Sequence, residues 1–513
     1  MSDTLWDLLA PHPADAKAIG GAERPWLSYG ALRELAGSTV QRLNGLGIGR
    51  GDRVAIVLPN GPEMAAAFVA IGCGATTAPL NPGYREEEYN FYISDLNAKA
   101  LVVTADYDGP ALAVAAKHGV QVLRLSTEAD WPAGRFELQA EGKGEGAAQS
   151  GGFADTEEVA LVLHTSGTTS RPKIVPLLQR NLVASVRHIG STLALTPEDR
   201  CLNIMPLFHI HGLIAAVLSS LAAGGSVWCT PGFNALQFFS WLETARPTWY
   251  TAVPTMHQAI LARSARNKAA AQAAGLRFIR SSSSSLPPQV MTALETAFDC
   301  PVIESYGMTE ATHQMTSNLL PPGARKPGSV GVAAGPQVRI AHEREDHLLD
   351  GADAIGEIVI SGPNVTPGYE ANPEANAKSF FELDGTRWFR TGDQGTLDDE
   401  GYLRITGRLK EIINRGGEKI SPLEVDEVMM DHPAVAQVVT FAMPHPKLGE
   451  EVAAAVVLRE GQTTDERALR EFAAQHLADF KVPRKILILD EIPKGATGKM
   501  QRIGLAGKLG LGS

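Results

Sequence analysis

The chain contains 513 residues, more than one hydrophobic core usually organises, so its length predicts two or more domains. A net charge of −11 argues against a nucleic-acid-binding surface, while 44% hydrophobic and 20% charged residues are ordinary for a globular protein. The most apolar segment, residues 213–228, is interrupted by serine and glycine, which predicts a buried helix and no membrane span.

The four cysteines are scattered and form no Cys-x-x-Cys pair: Cys73, Cys201, Cys229 and Cys300. This spacing gives no indication of a zinc site and fits buried thiols in a reducing compartment. The N-terminus lacks a charged-then-apolar leader, and the C-terminus lacks a peroxisomal address. We therefore expect a cytoplasmic protein.

The segment before residue 140 alternates short apolar runs with helical patterns. Residues 53–58 and 100–104 are predicted strands, and a helix is predicted from Asn60 or Gly61, with Pro62 in its first turn, to Gly72. Such alternation is typical of a parallel α/β layer. Residues 141–152 are rich in glycine, alanine, glutamate and serine, and they predict a surface loop.

A hydroxyl-rich run follows the apolar residues 159–163 and has the composition of a polyphosphate-binding loop. It reads His164-Thr165-Ser166-Gly167-Thr168-Thr169-Ser170-Arg171-Pro172-Lys173. Hydroxyl and backbone N–H groups donate to phosphate oxygens, a glycine lets the backbone approach, and Lys173 adds a point charge. The glycine spacing differs from that of the G-x-x-x-x-G-K-[ST] nucleotide loop, and a solvated serine/threonine linker is the structural alternative.

The strand–helix rhythm continues through the middle of the chain and changes after Gly407. Strands are predicted at 276–280 and 302–304, with a helix between them at 287–298, and ligand loops are expected at the carboxyl ends of such strands. Beyond residue 410 the pattern predicts a small α+β domain, with strands at 435–442, 452–458 and 485–489 and helices at 423–430 and 465–478.

Further motifs follow the hydroxyl-rich run in a fixed order: Tyr306-Gly307-Met308-Thr309-Glu310, Trp388-Phe389-Arg390-Thr391-Gly392-Asp393, Gly407-Arg408-Leu409-Lys410 and Pro493-Lys494-Gly495-Ala496-Thr497-Gly498-Lys499. Over essentially the whole chain, the set resembles the adenylate-forming superfamily of acyl-CoA synthetases, luciferases and peptide-synthetase adenylation domains. The resemblance implies an α/β fold with a large N-terminal domain of stacked α/β subdomains, residues 1–409. A small, mobile C-terminal α+β domain, residues 410–513, follows the implied hinge at Lys410.

Enzymes of this superfamily join a carboxylate to AMP, which brings two anions together, so the protein has to offset charge and fix the geometry. The resemblance implies that Lys499 bridges the acyl oxygen and the α-phosphate, that Thr309 reaches the α-phosphate and that His209 is the pocket histidine of the catalytic site. It also implies ATP or AMP contacts for Thr165, Ser166, Gly167, Thr168, Thr169, Lys173, Ser283, Ser284, Glu304, Tyr306, Gly307, Thr309, Asp393, Arg408 and Lys499.

Three cofactors or cosubstrates follow from the resemblance: ATP, Mg²⁺ and coenzyme A. Mg²⁺ prefers hard oxygen ligands, and Glu310 beside Thr309 is the predicted metal ligand. The channel of coenzyme A is implied to lie beside Gly416, Gly417 and Lys419. The plain alternatives are a solvated lysine at 499, a turn at Asp393, core packing at Tyr306 and a polar turn at 281–285.

Two residues depart from the superfamily pattern, which usually has glycine where this chain has Ser170 and Ile174. Ser170 keeps a hydrogen-bond donor. Ile174 adds a β-branched side chain that stiffens the loop after Lys173. The change at Ile174 is expected to affect how fast the loop closes over ATP. It does not affect the assignment to the superfamily.

A cluster of polar side chains is predicted near the acyl pocket: His209, His211, Ser283 and His313, with Arg280 next to the serines of 281–285. Fatty or aromatic acids call for apolar or small pocket residues, whereas this set can hold a second carboxylate. The alternative is that His209 is the general pocket histidine of the superfamily, His211 a helix residue and His313 a hydrogen-bonded structural residue. The strings 164–172, 208–212, 248–255, 308–313 and 414–422 are similar to those of oxalate–CoA ligases of plants and fungi. That resemblance implies the conversion of oxalate, ATP and CoA to oxalyl-CoA, AMP and diphosphate.

Other functions stay open from the sequence. The acid could be malonate, another short or medium-chain acid or an aromatic acid. An adenylation protein that charges a carrier domain is a second class, against which the absence of a carrier module after Lys499 counts. A non-catalytic nucleotide-binding relative is a third class, and the intact Glu310, Asp393, Arg408 and Lys499 count against it. The oligomeric state is not predicted.

Overall fold

The computed structural model describes residues 3–142, 146–165, 172–493 and 500–512. The described chain divides into two compact units. The first comprises Met1–Val338, Ile360–Phe381 and Gly385–Phe389, and the second comprises Arg339–Val359, Glu382–Asp384 and Arg390–Ser513. The predicted mixed α/β class is confirmed. The boundary at residue 409 and the hinge at Lys410 stay predictions.

Two largely parallel sheets form the framework of the first unit. Within the described residues, one has seven strands in the order Glu137–Ala140, Gln121–Ser126, Ala100–Thr104, Arg53–Val57, Thr76–Pro79, Val159–Thr165 and Lys173–Leu178. The other has nine strands in the order Val332–Ala333, His313–Ser317, Val302–Met308, Phe278–Ser281, Trp249–Ala252, Arg200–Asn203, Ser226–Cys229, Lys17–Gly20 and Leu27–Ser28.

Two further sheets complete the strands of the described chain. One runs through Gln337–Ala341, Gly356–Ser361, Thr386–Leu397 and Phe380–Leu383, with Leu403–Arg408 paired to Thr386–Leu397. The other lies wholly in the second unit and runs through Glu418–Ile420, Ile413–Arg415, Gly449–Leu458 and Val435–His445, with Lys485–Ile488 paired to Gly449–Leu458. The three strands predicted beyond residue 410 are present in this last sheet, which confirms its α+β character.

Helices connect and cover these strands. The α-helices of the described residues are Leu5–Leu9, Tyr29–Gly45, Pro62–Gly72, Glu86–Asp95, Ala111–His118, Gln179–Thr192, Ser219–Ala222, Phe238–Ala245, Pro254–Ser264, Lys268–Ala273, Pro288–Phe298, Pro373–Ser379, Pro422–Met430, Glu466–His476 and Leu505–Lys508. A π-helix spans His211–Leu218, and 3₁₀ turns span Ala265–Asn267 and Thr309–Ala311. None of the helices described is long and apolar enough to cross a membrane.

The prediction of one helix over residues 213–228 is partly wrong. The π-helix and the short helix Ser219–Ala222 cover its beginning, but residues Ser226–Cys229 form a strand inside the nine-stranded sheet. Gly224 ends the helical segment with a φ of +77°, a left-handed conformation that glycine adopts without strain. The apolar run therefore covers a helix, a turn and a strand.

All four cysteines are free and buried, as the sequence predicts. Burial raises the pKa of the Cys73 and Cys300 thiols to about 12, because an apolar environment disfavours the thiolate. Burial also raises the pKa of Cys201 and Cys229 well above the ordinary value.

The strand predicted at 302–304 continues to Met308, so the Tyr306-Gly307 pair lies within it. The neighbouring strand His313–Ser317 runs antiparallel to it, and Gly307 faces Gln314 across the pair. A Cβ atom on Gly307 would lie 1.7 Å from the carbonyl oxygen of His313. The close approach of these two backbones therefore requires glycine at this position.

We expect Gly307→Ala to lower the free energy of unfolding by about 3 kcal/mol, because the new methyl group can be accommodated only by moving backbone. Denaturant unfolding followed by tryptophan fluorescence measures the change. Gly190→Ala is the matched control, since Gly190 lies in the helix Gln179–Thr192 and a Cβ there meets nothing within 4 Å. That control should gain about 0.5 kcal/mol from the reduced entropy of the unfolded chain. Equal stabilities of the two variants would contradict the clash.

Candidate active site

Three adjacent parallel strands bring polar residues together at their carboxyl ends in the nine-stranded sheet. Trp249–Ala252, Phe278–Ser281 and Val302–Met308 are neighbours in register, with Thr251 opposite Arg280 and Ser281 opposite Glu304. The chain segments that leave their carboxyl ends are the positions where ligands bind in α/β sheets. The predicted pocket residues 281–285 lie at and after the end of Phe278–Ser281, while residues 304–307 lie within Val302–Met308.

His211 is the centre of a buried hydrogen-bonded cluster at this edge. It begins the π-helix His211–Leu218, and its Nδ1 lies 3.0 Å from the Ser283 hydroxyl, while its Nε2 lies 2.6 Å from the Thr251 hydroxyl. The ring of His313 packs edge-on at 5.0 Å between ring centroids. Both histidine side chains are buried. The structure thus brings together His211, Ser283 and His313, three of the four predicted substrate residues.

The remaining predicted pocket residues have defined surroundings. His209 is partly buried, and its ring packs against Phe208 at 4.5 Å between centroids. Ser284 is exposed. Ser282 donates from its hydroxyl to the carbonyl of Ser305, and Glu304 accepts the backbone N–H of Leu286 at 2.8 Å. The Ser282 hydroxyl and the Glu304 carboxylate therefore form hydrogen bonds within the protein that stabilise the 281–285 loop.

Three non-glycine residues near this site have a left-handed backbone. Ser283, Thr312 and His313 have φ values of +74°, +49° and +94°, in the left-handed region that non-glycine residues rarely adopt. The carbonyl of Thr312 accepts from the Ser185 hydroxyl at 2.5 Å, and its own hydroxyl donates to the carbonyl of Asn364 at 2.7 Å. Such strain persists only where neighbours hold it, and it is typical of functional sites.

Glu310 lies in the 3₁₀ turn that follows the strand Val302–Met308, and its side chain is buried. The Tyr369 hydroxyl donates to its Oε1 at 2.8 Å, and the Lys173 ammonium lies 4.2 Å from the centroid of the Tyr369 ring. An oriented carboxylate oxygen beside a predicted phosphate loop fits a Mg²⁺ ion, which prefers hard oxygen ligands. Tyr369 was not among the predicted site residues, although an aromatic residue directly after Pro367-Gly368 is a local signal.

Several predicted ATP contacts lie outside the described residues: Ser166, Gly167, Thr168, Thr169 and Lys499. Thr165 and Lys173, which flank the hydroxyl-rich run, are opposite one another in an antiparallel strand pair. The predicted departure Ile174 is buried in the core of the seven-stranded sheet. Ser170, the other departure, is also outside the described residues.

In the second unit, the predicted ATP or AMP contacts Asp393 and Arg408 form an ion pair. They are opposite one another in antiparallel strands, and the Arg408 Nε donates to the Asp393 Oδ1 at 2.9 Å. Glu357, which the sequence analysis missed, accepts the backbone N–H of Gly392 at 2.9 Å and pairs with Arg390 at 2.7 Å. Burial raises the pKa of the Glu357 carboxyl, and Arg390 opposes this shift.

An ion-pair network follows the predicted hinge residue Lys410. The Arg502 guanidinium lies 3.4 Å from the Glu411 carboxylate and 2.7 Å from the Asp426 carboxylate, and it donates to the carbonyl of Thr440. Burial raises the pKa of both carboxyls against the attraction of Arg502. The segment that follows the predicted catalytic lysine is thereby tied to the segment that follows the hinge.

The predicted coenzyme A segment contains two glycines in the left-handed region, Gly416 with a φ of +60° and Gly417 with a φ of +101°. Lys419 forms an ion pair with Glu343 at 2.6 Å, and Gln394 donates to the same carboxylate at 2.7 Å. A cavity of about 260 Å³ in the second unit is lined by Glu343, Arg344, Leu409, Ile412, Asn414 and Lys419.

The fold and these sites define an adenylate-forming type of enzyme. The chain belongs to the AMP-binding enzyme family, whose model matches residues 7–370, and the model of the AMP-binding enzyme C-terminal domain matches residues 424–499. The resemblance drawn from the motifs to the adenylate-forming superfamily is thereby confirmed.

Similar proteins include two oxalate–CoA ligases and one solved structure. The oxalate–CoA ligase of Arabidopsis thaliana is 44% identical, with 98% of each chain covered. That of Saccharomyces cerevisiae is 42% identical, with 88% of this chain and 86% of the yeast protein covered. The ATP-bound structure of MatB from Rhodopseudomonas palustris is 31% identical, with a TM-score of 0.88 and 99% of each chain covered.

We expect Tyr369→Phe to raise the Mg²⁺ concentration needed for half-maximal adenylate formation by about tenfold, because it removes the hydroxyl that orients Glu310. The ring that packs under Lys173 is kept. Pyrophosphate release at limiting acid and varied Mg²⁺ measures the effect. Tyr84→Phe, which removes the hydroxyl of a partly buried tyrosine packed against the core of the seven-stranded sheet, is the control and should leave the Mg²⁺ dependence unchanged. An unaltered Mg²⁺ dependence of Tyr369→Phe would count against a metal at Glu310.

Proposed function

We propose that this chain is an ATP-dependent ligase that joins a short dicarboxylic acid, oxalate before others, to coenzyme A through an acyl-adenylate. The products are oxalyl-CoA, AMP and diphosphate. The observation that carries the proposal is the buried cluster of His211, Ser283 and His313 at the carboxyl ends of the central strands. The similarity to two oxalate–CoA ligases over most of their lengths supports the same acid.

The first half-reaction has to bring an acid carboxylate to the α-phosphate of ATP against the repulsion of two anions. In our proposal Lys499 bridges the acyl oxygen and the α-phosphate, while the Thr309 hydroxyl donates to the phosphate. The loop from Thr165 to Lys173 holds the other phosphates through hydroxyl and backbone N–H groups. Such fixed donors stabilise the developing charge without reorganisation, which is the main source of catalysis in phosphoryl chemistry.

Glu310 is the proposed ligand for Mg²⁺, which offsets phosphate charge when it is bound. The Tyr369 hydroxyl fixes the orientation of this carboxylate. Lys173, above the Tyr369 ring, keeps a positive charge near the same carboxylate. This arrangement places one negative and one positive side chain where the polyphosphate is proposed to lie.

The nucleoside contacts that we propose are those that the family resemblance implies. Asp393 accepts the ribose hydroxyls and Arg408 orients that carboxylate, as their 2.9 Å contact supports. Tyr306 lies against adenine, with Gly307 and Glu304 beside it. Glu357 holds the turn before Asp393 from behind, since it accepts the Gly392 N–H.

The second half-reaction is attack of the coenzyme A thiol on the acyl carbon, with AMP as the leaving group. We propose Lys410 as the hinge and Gly416, Gly417 and Lys419 as residues along the path of the thiol arm. Glycine at 416 and 417 suits a narrow channel, because the backbone there adopts positive φ values and carries no side chain. A cytoplasmic location for the reaction stays a prediction from the buried, unpaired cysteines.

The acid pocket is the part of the proposal that selects the substrate. In oxalate the two carboxylate carbons are bonded directly to each other, so a short polar pocket suits it better than an apolar tunnel. His209, His211, His313 and Ser283 are the proposed contacts. A site built around polar partners discriminates against an acid that lacks the second group, because its own polar groups are then left unpaired.

We expect the parent enzyme to use oxalate at least a thousandfold better than acetate, as judged by kcat/KM for pyrophosphate release and for thioester formation. His313→Ala should lower kcat/KM for oxalate much more than it weakens ATP binding. His118→Ala, which changes an exposed histidine elsewhere, is the control. Malonate, octanoate and 4-coumarate complete the panel. A parent that prefers octanoate or 4-coumarate would rule out the oxalate proposal, and adenylate formation without use of CoA would point to a carrier-charging protein.

We expect Lys499→Ala to reduce the rate of acyl-adenylate formation by about a hundredfold or more. This is the loss of rate typical when one hydrogen-bond donor to the transition state is removed. Thioester formation from supplied acyl-adenylate should fall far less, because the phosphate is then already bonded to the acid. Lys508→Ala, an exposed lysine in the last helix, is the matched control. An equal fall in both half-reactions would contradict the role given to Lys499.

A further inference from the structure

Arg280 lies fully buried in the nine-stranded sheet, on the strand Phe278–Ser281. Its Nη2 donates to the Oε1 of Gln314 at 3.2 Å, but its Nε and Nη1 have no hydrogen-bond partner among the residues the structure describes. Within the same residues no carboxylate forms an ion pair with it. Among the residues described, Arg280 is thus a buried positive charge without a negative partner.

Such a charge is costly unless something compensates it. Guanidinium groups in protein interiors are normally paired, because transfer out of water disfavours the charged form. Burial lowers the pKa of Arg280 to about 9, which still leaves the group charged at neutral pH. A residue that served packing alone would be replaceable by an apolar side chain of similar length at a gain in stability.

The position of Arg280 identifies what its charge acts on. Arg280 and Thr251 are opposite one another in neighbouring parallel strands, so their side chains share one face of the sheet. The Thr251 hydroxyl is bonded to His211, and Gln314, which accepts from Arg280, directly follows His313. Arg280 is therefore one strand away, on the same face of the sheet, from the threonine that bonds His211 in the proposed acid pocket.

We propose that Arg280 is a positioning residue that determines specificity: its uncompensated charge stabilises the second carboxylate of the acid from behind His211 and His313. This inference rests on the proposed function and adds to it the source of the preference for a dianion. Charge–charge attraction is strong across a water-excluded interior, so it acts without direct contact. A monocarboxylic acid places no second negative charge there and gains far less from it.

Arg277 on the same stretch of chain shows the contrast. Its Nε and Nη2 donate to the two carboxylate oxygens of Asp199 at 3.0 and 2.8 Å, and its side chain is partly exposed. Its charge is therefore compensated within the protein. Arg277→Met provides the matched control. It removes the same positive charge three residues earlier in the chain, where Asp199 already neutralises it.

The test is a comparison of Arg280→Met with the parent and with Arg277→Met, using oxalate and acetate as the two acids. We expect Arg280→Met to lower kcat/KM for oxalate by about a hundredfold and that for acetate by less than about threefold, so that the ratio collapses. The thermal unfolding midpoint of ligand-free Arg280→Met should equal or exceed that of the parent, since the buried charge is gone. Arg277→Met should lose stability and keep the ratio.

Two further variants separate charge from hydrogen bonding. Arg280→Lys keeps the charge and should keep most of the oxalate-to-acetate ratio, whereas Arg280→Gln keeps a donor for Gln314 and should lose the ratio. If Arg280→Met does not fold, Arg280→Lys and Arg280→Gln provide the comparison instead. Equal falls for both acids, or an unchanged ratio in Arg280→Gln, would overturn the inference and leave the proposed function intact. A parent that prefers monocarboxylic acids would overturn both.

Discussion

The alignment of three parallel strands is the constraint on which the proposed acid site depends. Trp249–Ala252, Phe278–Ser281 and Val302–Met308 end at one edge, and the next strand, His313–Ser317, turns back so closely that Gly307 has no room for a side chain. That turn forces His313 into a left-handed conformation and brings its ring against His211. The close packing of these two strands and the contact between His211 and His313 therefore depend on each other, and a change in one disturbs the other.

Charge is arranged differently in the two units. In the first, the charged groups near the proposed reaction are buried or shielded, as in Glu310 under the Tyr369 hydroxyl and Arg280 in the sheet. In the second unit, Arg408 pairs with Asp393, and Arg502 pairs with both Glu411 and Asp426. Charges in a dry site act strongly on a bound ligand, and ion pairs also hold the shape of the protein around it.

The sequence predicted local features well and distant contacts poorly. The strands at 53–57 and 100–104 and the helix from Pro62 to Gly72 follow from apolar runs and a proline in the first turn. The family is confirmed because its motifs keep their order along the chain. Tyr369 and Glu357 were missed, since each acts on a residue far away in sequence or on a backbone group that no motif marks. The burial of Arg280 was also not predictable, because arginine is usually exposed.

The four cysteines have a consequence for the chemistry of the product. An acyl thioester is an electrophile that passes its acyl group to an accessible protein thiolate and releases free coenzyme A. The proposed ligase makes such a thioester, yet every sulfhydryl of the chain is buried and held in the protonated form. The protein therefore offers no sulfur nucleophile of its own and is protected from acylation on its cysteines by its own product.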